Sequence, residues 1–170
     1  QKKPERFLEL ADQLPDKTFK MISKPLPTDE GYHKILQQKA NKRSNLLFLG
    51  EISPNKVHEH YRKAKILVNT SDYEGFPNTF LEAWRYETPV ISLYFDPDNL
   101  LKSTDIGIHS EDMTNMIDDI SYLSESIDER MKMGGAGRNH VIENHSLERV
   151  VDKYEKIFYQ TIRDHSQELL

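Results

Sequence analysis

The chain has 170 residues, and 23 Lys+Arg against 28 Asp+Glu give a formal net charge of −5, which fits one domain without the basic stripe of a dedicated nucleic-acid binder. Its lack of Cys excludes a disulfide framework, a Cys-zinc site, thiol catalysis and Fe–S chemistry together. No apolar run approaches the roughly 20 residues of a membrane span, the longest including 46–49 and 66–68.

The chain opens Gln1-Lys2-Lys3-Pro4-Glu5 without Met and reads as a cut fragment, so a missing leader carries no meaning. Pro4 suits a first helical turn, and Phe7, Leu8, Leu10, Ala11 and Leu14 give a helical face that Pro15-Asp16 ends. Phe19-Lys20-Met21-Ile22 reads as a short strand closed by Lys24-Pro25-Leu26-Pro27. A charged helix over about 28–42 follows, with Tyr32, Ile35, Leu36 and Ala40 on one side, then a strand from Asn45 to Leu49 stopped by Gly50. Val57–Ala64 is a predicted helix, Ile66–Val68 a strand, Asn78–Tyr86 a helix and Val90–Tyr94 a strand, ending in the turn Asp96-Pro97-Asp98-Asn99.

Strands that are apolar throughout belong to a parallel sheet covered on both faces, and the short loops between alternating elements predict a doubly wound, Rossmann-like α/β fold. The region 111–170 reads as helical. Met113, Met116, Ile117, Ile120 and Leu123 form one stripe, and Ser126-Ile127-Asp128-Glu129 has the pattern of a capping box opening a helix to about Glu143. Ser146 is the expected cap of a last helix with Leu147, Val150, Val151, Tyr154, Ile157, Phe158 and Ile162 on one face. Gly134-Gly135-Ala136-Gly137 lacks a preceding strand and the spacing of a dinucleotide loop, and reads as a loosened helix junction.

Ligands of open α/β sheets bind beyond the carboxyl ends of the strands. Strand Ile66–Val68 leads into Asn69-Thr70-Ser71-Asp72-Tyr73-Glu74-Gly75-Phe76-Pro77-Asn78-Thr79. There Gly75 relaxes the loop, Pro77 presets the turn, and the free backbone N–H groups near Asn78 and Thr79 make an anion site. Glu82 lies one to two turns further along the helix, and Glu74 precedes it. Carboxylates accept well from vicinal hydroxyls, so two of them flanking a phosphate grip suit a sugar–diphosphate–ribose ligand.

These residues resemble a known family. Glu74-Gly75-Phe76 followed by Leu81-Glu82-Ala83, with seven residues between the two Glu, resembles the E-x7-E motif of retaining glycosyltransferases of group 1 (family 4) with the GT-B fold. Lys2-Lys3-Pro4-Glu5 is similar to the Lys-bearing segment after that domain's first strand, Phe48-Leu49-Gly50-Glu51-Ile52 to its FLG-x-V loop, and Tyr61-Arg62-Lys63-Ala64 to its Y-x-x-A segment. Glu82-Ala83-Trp84 through Pro89-Val90-Ile91 resembles EAM…G-x-PV, and Arg138-Asn139-His140-Val141 onward the terminal helices.

The resemblance implies one donor-binding domain over 1–170, with an α/β core to 110 and helices from 111, whose acceptor-binding N-terminal partner domain lies outside this chain. It gives Lys2, or Lys3 one register off, the diphosphate, and the Asn78 and Thr79 backbone the phosphate. Glu82 takes the ribose, Glu74 is the catalytic residue contacting the donor sugar, Gly75 and Phe76 belong to the same loop, and Ile52 lines the base pocket. It implies transfer of a sugar from a nucleotide-diphosphate donor to a glycan or lipid-linked acceptor, as in bacterial polysaccharide synthesis, in the cytoplasm or at the inner membrane face. No metal and no other cofactor is expected, because Lys and a helix N-terminus can neutralise the diphosphate; nucleic acid is not a partner.

Three departures stand out. Glu87 occupies the position of a helix-ending Gly, leaving Pro89 as the expected stop, and Asp96-Pro97-Asp98-Asn99-Leu100 replaces a Gly-Gly…Glu loop. The domain's first strand is missing, which predicts a slot in the middle of the sheet, since that strand is central in the order 3-2-1-4-5-6. Simpler alternatives remain beside this one. His58-Glu59-His60 fails the i, i+4 spacing of a helical zinc pair, Trp84 reads as core, and Lys39–Arg43 as a solvated face with at most weak peripheral reach for anionic lipid. A nucleotide-sugar epimerase or a hydrolase on the same scaffold, or a non-enzymatic receiver-like module, are the competing functions. A retaining hydrolase needs carboxyls about 5–5.5 Å apart, and a receiver-like module needs acidic residues after an early strand, where this chain has Ser23-Lys24-Pro25.

Overall fold

The computed structural model describes residues 1–25, 28 and 30–168, with side chains as far as His165. Pro4 opens α1 (Pro4–Gln13), where a missing N–H costs nothing, and Leu8, Leu10 and Ala11 are buried on one face. β1 (Phe19–Ile22) follows, with the Phe19 ring edge-on to Phe7 at 5.5 Å. The turn expected at Lys24–Pro27 and the expected start of the second helix fall partly outside the described residues; α2 is described over Glu30–Ala40. β2 (Leu46–Gly50) ends where Gly50 takes a left-handed φ of 64°, a conformation that glycine adopts without a Cβ penalty.

α3 (Pro54–Lys63) starts three residues ahead of the predicted Val57 because Pro54 sets its first turn. β3 (Leu67–Asn69), α4 (Asn78–Arg85) and β4 (Val90–Ser92) lie where predicted to within two residues at each end. A 3-10 turn (Pro97–Asn99) and α5 (Leu100–Ser103) then lead into β5 (Gly107–His109), which the sequence pattern missed. Three residues with a single large apolar one are too short to register, yet β5 pairs in parallel with β4, and a Cβ on Gly107 would sit 2.4 Å from the Val90 carbonyl oxygen. α6 (Met113–Glu125), α7 (Ile127–His145) and α8 (Leu147–Glu168) complete the chain.

All strand pairs are parallel, in two pieces: β1 with β2, and β3-β4-β5. No strand among the described residues pairs the free edge of β1 or of β3, which is the slot the sequence led us to expect. A common core joins the pieces instead. Leu8, Leu10, Ala11 and Leu14 share one buried cluster with Phe19, Met21 and Leu46, and with Ile91, Leu93, Met116, Ile120 and Leu123. A second cluster holds Phe80, Ala83, Trp84, Val90, Leu101 and Ile106. Neighbouring Val90 and Ile91 thus face opposite clusters, so the sheet is covered on both faces, as doubly wound folds require.

Two local expectations are corrected. Ser126 makes no side-chain cap; Arg130 holds that junction by donating to the carbonyls of Leu123 and Ser124 at 2.7 Å, while Asp112 caps α6 by accepting from the Asn115 N–H at 2.8 Å. The Gly134–Gly137 stretch is no junction but lies inside the continuous helix α7, whose missing side chains let it approach α4. A Cβ on Gly134 would stand 2.1 Å from the Glu87 carbonyl oxygen, and one on Gly137 2.4 Å from the Trp84 ring, whereas Gly135 faces open space.

The end of α4 also departs from expectation. Pro89 does not stop it. Glu87 itself takes the left-handed conformation, φ 58°, with its N–H on the Trp84 carbonyl and the Thr88 N–H on that of Ala83, each at 2.9 Å. This is a Schellman cap built on a glutamate instead of a glycine.

Two stability predictions follow from these contacts. Gly134→Ala is expected to lower unfolding free energy by about 1–3 kcal/mol, since backbone cannot yield as a side chain does, while Gly135→Ala raises it by up to about 1 kcal/mol. Glu87→Gly removes the left-handed strain and is expected to raise it by roughly 1 kcal/mol, outweighing its exposed ion pair with Arg138. Urea unfolding of the three variants reads all of these.

Candidate functional site

The site lies at the carboxyl end of β3, and the first residues of the chain build one wall of it. The Gln1 carbonyl accepts from the Asp72 N–H at 3.0 Å, and the Thr70 hydroxyl bonds the carbonyls of Lys2 and Lys3 at 3.1 and 3.2 Å. Arg6 donates to the Thr70 carbonyl at 3.2 Å and to Asp72 Oδ1 at 2.5 Å. Lys3 sits at φ 48°, turning the chain into α1 across this loop. The Arg6 hydrogen bond, ahead of any other influence, holds the Asp72 carboxyl below its ordinary value.

Glu74 is nearly enclosed, its side chain 8% exposed, and Oε1 accepts from Lys2 Nζ at 2.5 Å and from the Ser71 hydroxyl at 2.6 Å. The structure therefore brings together two of the expected site residues, Lys2 and Glu74, as an ion pair. Beyond them, Gly75 has nothing within 4 Å of where a Cβ would stand, and Phe76 is partly exposed. α4 begins at Asn78 with Pro77 as its N-cap and no side-chain cap bond, so the Asn78 and Thr79 N–H groups stand at an uncapped helix N-terminus with its partial positive charge.

Glu82 is in a different setting. Its Oε2 stands 3.9 Å from His58 Nδ1 of α3, and both atoms are buried without a hydrogen-bond partner. Burial, and then the Glu82 carboxylate, push the Tyr61 phenol above its usual value. Ile52 follows β2 in an open hollow of about 640 Å³ shared with Glu51, Ser53, Lys56, Glu59 and His60. Among the described residues no group of three or more His, Asp or Glu is placed to hold a metal ion.

Sequence reasoning missed Arg6, Ser71 and His58. Ser71 stands three residues before Glu74, a spacing at which a hydroxyl reaches a neighbouring carboxylate and which is visible in the sequence. Arg6 and His58 reach the site only through α1 and α3, and no local pattern announces them.

The model of one family, described as glycosyl transferases group 1, matches residues 1–140. The chain belongs to this family. It is 26% identical over 129 residues to a poly(ribitol-phosphate) alpha-N-acetylglucosaminyltransferase of Staphylococcus aureus, covering 74% of this chain and 26% of that protein. It is 36% identical over 88 residues to an alpha-galactosylglucosyldiacylglycerol synthase of Streptococcus pneumoniae, covering 50% and 23%. The chain thus spans about a quarter of the length of these relatives.

Among solved structures, the C-terminal domain of a group 1 glycosyl transferase (LpcC) from Francisella tularensis superposes with a TM-score of 0.70 at 25% identity, covering 86% of this chain and 80% of that one. HepE from Anabaena, solved with UDP, gives 0.80 at 14% identity over 94% of this chain and 45% of its own. The fold is therefore that of the Rossmann-like domain of GT-B glycosyltransferases. No helix among the described residues is long and apolar enough to cross a membrane.

The ion pairing around Asp72 carries a pH signature. An aspartate held below its unfolded value stabilises the fold fully above about pH 3.9 and loses that contribution as pH falls through its lower folded value. Asp72→Asn is expected to flatten the acid limb of the stability profile below about pH 4, read by thermal melts over a pH series.

Proposed function

We propose that this chain is the donor-binding domain of a retaining glycosyltransferase, and that it holds a nucleotide-diphosphate sugar whose sugar is transferred to a glycan or lipid-linked acceptor, as in bacterial polysaccharide synthesis. The observation that carries this is the uncapped N-terminus of α4 at the carboxyl end of the sheet, with the Lys2–Glu74 pair before it and Glu82 along it. Phosphate oxygens accept from the Asn78 and Thr79 N–H groups, and Lys2 adds a mobile cation to the diphosphate. Glu82, whose side chain is 40% exposed although Oε2 is buried beside His58, takes the ribose hydroxyls, while Ile52 and its hollow take the base.

Glu74 is the residue that meets the donor sugar. Lys2 neutralises it in the free chain, and diphosphate entry competes for the same ammonium, freeing the carboxylate to accept from sugar hydroxyls as the leaving diphosphate gains charge. Gly75 leaves room for that approach. The helix N-terminus and Lys2 supply the positive field, so no metal is needed and chelators leave donor affinity unchanged. By their names one relative transfers to a poly(ribitol-phosphate) and the other makes a glycolipid, which supports a polymer or lipid-linked acceptor here; that acceptor is met by a separate acceptor-binding domain, in the cytoplasm or at the inner membrane face.

Calorimetric titration of the chain with UDP- and GDP-sugars tests the proposal. One of them is expected to bind without turnover, and Glu82→Ala to weaken it roughly tenfold or more through loss of charge-assisted hydrogen bonds. Failure of the whole panel to bind, or a Glu82→Ala variant that binds equally well, would sink it.

A further inference from the structure

Between Glu74 and α4, the loop that the proposed donor site depends on is scarcely tied to the chain. No hydrogen bond joins Gly75 or Phe76 to another described residue, and Pro77 has no N–H to give. Pro77 is buried and its carbonyl accepts from the Phe80 N–H at 2.9 Å, which ties down the end next to α4; ahead of it, the Phe76 side chain has one ring contact. The Phe76 ring lies 5.3 Å from that of His145, the last residue of α7, tilted by 40°. From there rings follow in series: His145 to His140 at 5.4 Å, His140 to Trp84 at 5.8 Å, and Trp84 to Phe80 at 5.6 Å.

Phe76 and Phe80 flank the first turn of α4, so this series leaves the helix through its interior and returns to the loop in front of it by way of α7. Its inner end is tightly packed. Trp84 is fully buried, donates its Nε1–H to the Ile106 carbonyl at 2.8 Å, and fits against Gly137, where any Cβ would collide with it. His140 is oriented by Asn144, whose side-chain amide lies 3.4 Å from Nδ1, and its Nε2 is buried without a partner.

We propose that His145 is a positioning residue for donor binding: by bracing Phe76 it fixes the loop so that the Asn78 and Thr79 N–H groups converge on the donor phosphate. This rests on the donor-domain reading above. His145 does not touch the donor. Its effect reaches the site through Phe76, because a backbone anion grip binds well only when its N–H groups are aimed before the ligand arrives.

The brace is built for neutral rings. Burial first, then the Lys153 ammonium of α8, hold His145 below its ordinary value; burial, then His145 itself, do the same for His140, with Glu143 pulling the other way. Phe76 and Trp84 bring no charge. Protonation in acid therefore sets two like charges on rings 5.4 Å apart and loosens the contact with Phe76.

The test uses UDP or GDP, whichever binds the wild-type chain, titrated calorimetrically into wild type, His145→Ala and His145→Phe at about pH 7.5 and about pH 5. At neutral pH, His145→Ala is expected to bind about three- to tenfold more weakly, and His145→Phe to restore wild-type affinity. In acid the wild type weakens more than His145→Phe, which keeps His140 but has no titrating ring at position 145, so no pair of like charges forms there; it also controls for protonation of the nucleotide. Should His145→Ala fail to fold, Phe76→Ala removes the other ring from the exposed side and must show the same loss. In the double variant the two losses must not add.

Wild-type affinity in His145→Ala or in Phe76→Ala, or a His145→Phe variant as weak as the alanine, overturns the inference alone. A wild-type chain that binds neither nucleotide overturns the donor-domain reading and this inference with it.

Discussion

The clasp between the first six residues and the loop Thr70–Glu74 is the constraint on which the site depends. Among the described residues the sheet is in two pieces with no ladder between them, so the relative position of the halves rests on side-chain burial and on α1. Burial is non-directional and would tolerate small slides of one half against the other. The bonds from Asp72 to Gln1 and from Thr70 to Lys2 and Lys3 are directional, and at about 1 kcal/mol each they turn a shared core into a defined register. The same clasp delivers Lys2 to Glu74 and Arg6 to Asp72, so the contacts that set the register and the residues of the proposed site are the same piece of chain.

Close approach of α7 to α4 is the second constraint. α4 lies with its uncapped N-terminus at the carboxyl end of the strands, and its other end is trapped by Gly134 against Glu87 and Gly137 against Trp84. The left-handed Glu87 belongs to this arrangement, because the chain must reverse sharply there to enter β4. A non-glycine residue in that conformation stores strain that the surrounding packing holds in place. Helix α4 is thereby fixed from behind while its front remains free of caps.

Charge tells a local story that the total conceals. A net charge of −5 argues against an anion ligand only if the charge is uniformly spread, and here it is not. Backbone N–H groups, absent from any count of side chains, supply the positive field at α4, and Lys2, Lys3 and Arg6 converge on the same loop from one stretch of chain. Acidic residues in that loop pair with these cations, so the charges there are closely balanced.

The sequence by itself determined the fold class, the covered parallel sheet, most helices and the family, because those rest on periodicity, turn residues and ordered motifs that local chain chemistry enforces. Phe19–Ile22, Asn78–Arg85 and Trp84 as core were legible for that reason. β5 was not, since three residues carry too little pattern, and neither was the role of the Gly134–Gly137 stretch, whose glycines serve a helix distant in sequence. Ser126 shows the reverse error, a correct local signal that Arg130 superseded. Only the tertiary structure decided that Lys2 meets Glu74, that His58 faces Glu82, and that His145 stands on Phe76. These are pairings across 72, 24 and 69 positions of chain, fixed by how helices settle on a sheet, and no periodicity along the sequence encodes such a distance.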